Sequence, residues 1–230
     1  MNIRWYRYNM QKIIKYIANR FYKPLLTQYL SATRTYSGKG FRLVIPSGVF
    51  HPGFFFSTRL LLEYIGKRPL EGRSFLELGA GSGLISLFVS REGAKVVASD
   101  INPTAVECIR NNSQNNHVDL SVIQSDLFGD IPLQSFDIIA INPPYYKKDP
   151  QTPGEYAWYC GEHGEYFERL FSGLRSYSHP GSEIFMILCD GCDLDMVRGM
   201  AARHGFGMRC SFEKKNMVET NFIFAIERTG

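Results

Sequence analysis

No acidic residue precedes Glu63 in this sequence of 230 residues, although ten basic ones do: Arg4, Arg7, Lys12, Lys15, Arg20, Lys23, Arg34, Lys39, Arg42 and Arg59. The formal charge of +4 therefore hides a basic N-terminal quarter joined to a net acidic remainder. Such asymmetry fits a polyanionic partner such as RNA or a ribosome, and equally a solvated basic helix face. Cysteine is scarce and odd in number, at five. That excludes a disulfide framework and fits a reducing compartment. Cys189 and Cys192 form one C-x-x-C, without a second pair or a suitably placed His, so its role stays open. Long apolar runs are absent, which excludes a membrane-spanning helix of about 20 residues. The N-terminus lacks the apolar core and cleavage site of a signal peptide, so a cytoplasmic protein is expected. With 44% hydrophobic residues, 17 Phe and 13 Tyr, the chain can build a sizeable core and is not intrinsically disordered.

The length suits one domain with a short appendage. Residues 1–45 are expected to form a basic N-terminal helical extension, and residues 46–230 the main domain. Ile13, Ile14, Ile17, Phe21, Leu25 and Leu26 recur near helical spacing, interrupted at Pro24. Ser31 to Arg42 is polar and reads as a linker, Phe41 to Ile45 as a short strand, and Phe54 to Ile65 as a helix. From Ser74, short apolar runs alternate with amphipathic ones. The strands are Phe75–Leu78, Val96–Ala98, Leu120–Ile123, Ile138–Ile141 and Ile184–Leu188. The helices are Leu84–Arg91, Pro103–Asn115, Glu165–Ser176 and Asp195–His204. This alternation predicts an α/β fold, an open, mostly parallel sheet with helices on both faces. Met208–Phe212 and Phe222–Ile226 have no helix between them and should close it as an antiparallel hairpin. A nucleotide-like ligand belongs at the carboxyl ends of such strands.

The strongest local feature is Phe75-Leu-Glu-Leu-Gly-Ala-Gly-Ser-Gly-Leu84. Glu77 ends a hydrophobic strand, and Gly79, Gly81 and Gly83 follow before a helix. Glycines there permit a tight turn and close approach of a ligand to backbone. The dinucleotide fingerprint G-x-G-x-x-G fails, because its last glycine falls at Leu84. Without Lys-Ser or Lys-Thr there is no phosphate-binding P-loop either. Asp100, at the end of the next strand, can accept both hydroxyls of a ribose. Asp126, after a third strand, can accept from an adenine amino group. Glu-x-Gly-x-Gly-x-Gly, Asp100 and Asp126 together resemble the motifs of class I S-adenosylmethionine-dependent methyltransferases over about residues 45–230. The resemblance implies a seven-stranded Rossmann-like sheet and S-adenosyl-L-methionine as cofactor. It places that cofactor on Glu77, Gly79, Gly81, Gly83, Asp100, Ile101, Asp126, Leu127 and Asn142.

The fourth core strand runs into Asn142-Pro-Pro-Tyr145. This resembles the N-P-P-Y motif of methyltransferases acting on nitrogen attached to a planar group. An amide or exocyclic nucleobase amine is a poor nucleophile because its lone pair is delocalised. The Asn142 side-chain oxygen and the Pro143 carbonyl can accept its two N–H groups and aim the nitrogen. Pro144 stiffens the loop, and Tyr145 can stack on the planar group. Catalysis then rests on alignment and oriented dipoles, with no metal. Asn142, Pro143 and Tyr145 are the candidate catalytic residues, and Asn142, Pro144 and Tyr145 the candidate substrate contacts.

The acceptor stays open between two families. Ala157 to Glu165 and Glu213 to Phe222 resemble segments of HemK-type glutamine methyltransferases. Gly48-Val-Phe-His-Pro-Gly53 and Ser57 to Leu62 resemble the small-domain (MTS) ribosomal RNA guanine methyltransferases, which usually carry Phe where Tyr145 stands. The longer resemblance after Asn142 favours a protein glutamine, in a translation factor, over an RNA base. A non-catalytic RNA-binding module is the rival from another class, and the intact Asn142-Pro-Pro-Tyr opposes it. His51, His117, His163, His179 and His204 lack metal-ligand spacing. Oligomeric state is not legible.

Overall fold

The computed structural model describes residues 31–54, 56–216 and 219–229. The helical reading of Asn9 to Tyr29 lies outside them. Strands β1 (Arg34–Gly38) and β2 (Phe41–Ile45) form an antiparallel hairpin. Helix α1 (Phe56–Ile65) leads to β3 (Ser74–Leu78), α2 (Leu84–Arg91), β4 (Lys95–Asp100), α3 (Pro103–Asn115), β5 (Ser121–Gln124) and β6 (Phe136–Ile141). Then follow α4 (Glu165–Leu174), β7 (Ser178–Cys189), α5 (Leu194–Arg203), β8 (Phe206–Lys215) and β9 (Thr220–Arg228).

The main sheet has seven strands in the order β5-β4-β3-β6-β7-β9-β8. Strands β5 through β7 pair in parallel, and β9 runs antiparallel to both β7 and β8. The expected α/β sheet and terminal hairpin are therefore present. From β3 the chain winds outward through β4 and β5, then returns to place β6 on the other side of β3. The switch point lies between β3 and β6, where a crevice opens at the strand ends.

Continuous apolar runs in β3 and β6 suit strands buried on both faces. One core layer packs Leu84, Ile85, Leu87 and Val89 of α2 with Leu60–Leu62 of α1. The opposite layer packs Phe167, Leu170, Phe171 and Leu174 of α4 with Phe206, Phe224 and Leu188. Helix starts follow their capping chemistry. The Asn102 side chain accepts from the Thr104 N–H at 3.0 Å, with Pro103 in the first turn of α3, and Asp193 accepts from Met196 ahead of α5.

The linker expected from Ser31 to Arg42 is instead largely β1 and the hairpin turn. Lys39 and Gly40 both take positive φ, 54° and 78°, as a tight two-residue hairpin loop demands. Alternation was the signal: Phe41, Leu43 and Ile45 point into the core while Arg42 and Val44 face out. The hairpin is fixed to α3, whose Asn112 side chain accepts from the Val44 N–H at 2.8 Å. Asn116 both accepts from the Arg42 N–H and donates to the Arg42 carbonyl. Among the described residues, no helix is long and apolar enough to cross a membrane.

Candidate active site

A cavity of about 390 Å³ lies at the carboxyl ends of β3, β4, β5 and β6. It brings together Glu77, Gly79, Gly81, Asp100, Ile101, Asp126, Leu127 and all four residues of Asn142–Tyr145. Gly83 stands apart from it. With φ 82° it caps α2, and a Cβ there would come within 3.1 Å of Ile109 and Leu87. A side chain there would adopt a strained positive φ and crowd α2 against α3.

Glu77 is 5% exposed. Its carboxyl accepts from the Ser86 N–H at 2.9 Å and from the Ser86 hydroxyl. It thus ties the end of β3 to the first turns of α2 across the glycine loop. Burial pushes its pKa up to about 8, the bonds from Ser86 oppose that shift, and the nearby Asp100 adds to it. Asp100 accepts from the Gly81 N–H and the Asn102 N–H, both at 2.9 Å. Its pKa is also raised by burial, against the pull of those N–H groups. Its two oxygens hold the glycine loop to the start of α3 and retain lone pairs toward the cavity.

Asp126 reaches the same rim but is paired, with an Arg169 nitrogen 2.7 Å from its Oδ2. Leu127 holds a positive φ of 53°. The turn is secured by Ser125, whose hydroxyl donates to the Leu127 carbonyl at 2.9 Å and accepts from the Asp130 N–H at 3.0 Å.

The Asn142–Tyr145 loop is held from two sides. The Asn142 amide nitrogen donates to the Ser57 and Thr58 hydroxyls of α1, at 3.3 and 3.4 Å. That turns its donor edge toward α1 and leaves its carbonyl oxygen for the cavity. On the other side, the Trp158 carbonyl accepts from both the Tyr145 and Tyr146 N–H groups, at 3.2 and 3.0 Å. The Trp158 ring lies 5.5 Å from that of Phe50, and both rings line the cavity. Tyr145 is half-buried and lines the cavity while packing on the core layer under β7. Burial raises its phenol pKa.

Ser57, Thr58, Ser125, Tyr166 and Arg169 were not singled out as site residues from the sequence. Ser57 and Thr58 lay inside a segment noted for its family resemblance, and that was their one signal. Among the described residues, no group of three or more His, Cys, Asp and Glu side chains converges as a metal site would.

The acceptor-rich wall of Asp100 and Asp126 suits a ribose diol and an amino group, and the loop of Gly79 and Gly81 admits a ligand against backbone. Comparison with known proteins agrees with this geometry. Residues 40–158 match the methyltransferase small domain. A Methanocaldococcus jannaschii chain, provisionally named a protein N5-glutamine methyltransferase, is 43% identical over 152 residues, 64% of this chain and 75% of that one. The release factor glutamine methyltransferase of Bacteroides thetaiotaomicron is 26% identical over 203 residues, 82% of this chain and 72% of that one. The T. thermophilus 16S rRNA N2 methyltransferase, solved with AdoMet and guanosine, shares the fold with a TM-score of 0.65 at 22% identity. That likeness covers 86% of this chain and 51% of the T. thermophilus protein. Motifs, fold and matched residues coincide: this chain belongs to the methyltransferase small domain family.

Proposed function

We propose that this protein transfers the methyl group of S-adenosylmethionine to the side-chain amide nitrogen of a glutamine in a protein substrate. The observation that carries the reading is the orientation of Asn142. Its amide nitrogen is committed to Ser57 and Thr58, so its oxygen serves as a fixed acceptor at the cavity. Together with the Pro143 carbonyl it takes both N–H groups of a planar –NH2, holding the nitrogen in one orientation. Pro143 and Pro144 have no N–H and restricted φ, which keeps these carbonyls aimed. Tyr145 offers a ring face to the planar group. S-adenosylmethionine, when bound, supplies an electrophilic methyl on a sulfonium centre. Asp100 and Ile101 would hold its ribose side, Asp126 and Leu127 its adenine side, and Glu77, Gly79 and Gly81 the loop beneath. The residues contribute alignment and preorganised dipoles.

A protein acceptor is supported over RNA by the charge around the opening. Among the described residues, Arg169 is the one cation lining the cavity and it pairs with Asp126 at 2.7 Å; Lys147 and Lys148, just beyond Tyr146 in the chain, pair with Asp193 at 2.5 Å and Glu155 at 3.1 Å. Paired cations offer little free positive charge for phosphates. The second reading, an exocyclic nucleobase amine, draws on the ten basic residues before Glu63. A reducing, cytoplasmic setting accords with five thiols. The test is to label cell extract with radioactive methyl donor and purified protein, then divide it between protease and ribonuclease. Label that survives ribonuclease and is recovered as N-methylglutamine supports the proposal. Label that survives protease and is lost to ribonuclease overturns it in favour of RNA.

A further inference from the structure

We propose that Tyr166 is an adenosine-contacting residue of the cofactor site, its hydroxyl donating to the adenosine bound between Asp100 and Asp126. The inference rests on reading the cavity as the S-adenosylmethionine site and adds a residue to it from α4.

Tyr166 lies in the first turn of α4, a helix whose start is tied to the Asn142–Tyr145 loop. The Tyr166 N–H donates to the Cys160 carbonyl at 3.0 Å, and the Cys160 N–H to the Tyr146 carbonyl at 3.0 Å. Its ring stands edge-on to Phe167, with centroids 5.4 Å apart and planes at 87°. Phe167 is 1% exposed in the core, so the phenol is braced. One turn on, at the i+3 spacing that puts two side chains on one helix face, Arg169 pairs with Asp126. Both side chains line the cavity, and the Arg169–Asp126 pair puts this face of α4 beside the Asp126 rim.

Among the described residues, no hydrogen bond is made by the Tyr166 hydroxyl. Tyr166 is half-buried and lines the cavity, so its hydroxyl is left for water or a bound ligand to take up. Burial raises its pKa, and the carboxylates of Asp100 and Asp126 push the same way. The group therefore stays protonated and presents a donor. The neighbouring walls are acceptor carboxylates, which bind the donor hydroxyls and amino group of an adenosine. What they leave unmatched are its acceptors, the ring nitrogens and ribose oxygens. A neutral O–H donor at this wall complements them.

The experiment is calorimetry of wild type and Tyr166→Phe with two ligands, S-adenosylhomocysteine and 5′-methylthioadenosine. The second keeps the adenosine and lacks the amino acid. Phenylalanine preserves the ring packed on Phe167, so the ligand-free thermal midpoint should hold. The expected result is weaker binding of both ligands by the same factor, roughly 3- to 10-fold, the net scale of one neutral hydrogen bond. In turnover, KM for the methyl donor should rise while kcat is retained. Unchanged affinity for both ligands overturns the proposal, and so does a loss confined to S-adenosylhomocysteine, which would place the contact on the amino acid. If wild type binds neither ligand, the cofactor reading falls, and this one with it. If wild type binds and the variant binds equally, only the role of Tyr166 falls.

Discussion

Glu77 should make this protein less stable as pH rises through the neutral range. Its native carboxyl titrates near pH 8 because it is buried, against about 4.5 in an unfolded chain. Between those values the native state keeps a proton that the unfolded state has released. Stability therefore declines with rising pH from about 4.5 to about 8 and levels off above. At about 1.4 kcal/mol per tenfold change, the full span corresponds to roughly 4–5 kcal/mol, an upper bound because local opening lets water relieve the charge. Glu77→Gln removes the titration but keeps an acceptor for the Ser86 N–H and hydroxyl. Urea unfolding of both proteins, followed by tryptophan fluorescence from pH 5 to 9, isolates this one group from every other carboxylate. The stability of the Gln variant minus that of wild type should rise across the window, reaching a plateau above pH 8. A difference that stays flat from pH 5 to 9 would mean that Glu77 ionises normally. The account of burial dominating the bonds from Ser86 would then be wrong.

Asn142→Ala should lower turnover by roughly 10²–10³-fold, the scale of losing one preorganised polar group, with cofactor affinity nearly unchanged. Wild-type turnover in steady-state assays would sink the mechanism. Asp100→Ala should weaken S-adenosylhomocysteine binding by about 1–3 kcal/mol in calorimetry. It should also lower the thermal midpoint, since Gly81 and Asn102 lose their acceptor, and unchanged affinity would move the ribose elsewhere. Removing residues 1–30 should leave cofactor binding intact. If the substrate is RNA its capture should weaken steeply with salt, whereas salt-independent capture would favour a protein.

Local features of the fold and site were legible. The limits of α2 and α3 matched the apolar and capping pattern, and at their N-terminal ends Gly83, Asn102 and Pro103 punctuate the chain. Glu77, Asp100, Asp126 and Asn142 could be placed at one rim because each ends or follows a strand of a parallel sheet. Partners set by tertiary approach could not be read. Asn142 meets Ser57 and Thr58 from 85 and 84 positions away, and Arg169 meets Asp126 from α4. Strand β1 was read as a linker because a hairpin packed by one face carries polar Thr35 and Ser37 on the other, and even its half-buried face begins with Arg34. Polarity alone does not separate such a strand from a loop.

The clamp of the hairpin on α3 has a consequence for synthesis on the ribosome. Val44 and Arg42 find their partners on Asn112 and Asn116, 68 and 74 residues later. At about 5–20 residues per second, those partners are made roughly 4–15 s after the hairpin. Throughout that interval Phe41, Leu43 and Ile45 form an apolar strand face without the helix that later fastens it. Such an edge can pair with another nascent chain. A translational pause between residues 45 and 116 lengthens the exposure, and the yield of native protein should fall with its duration unless a chaperone shields that face.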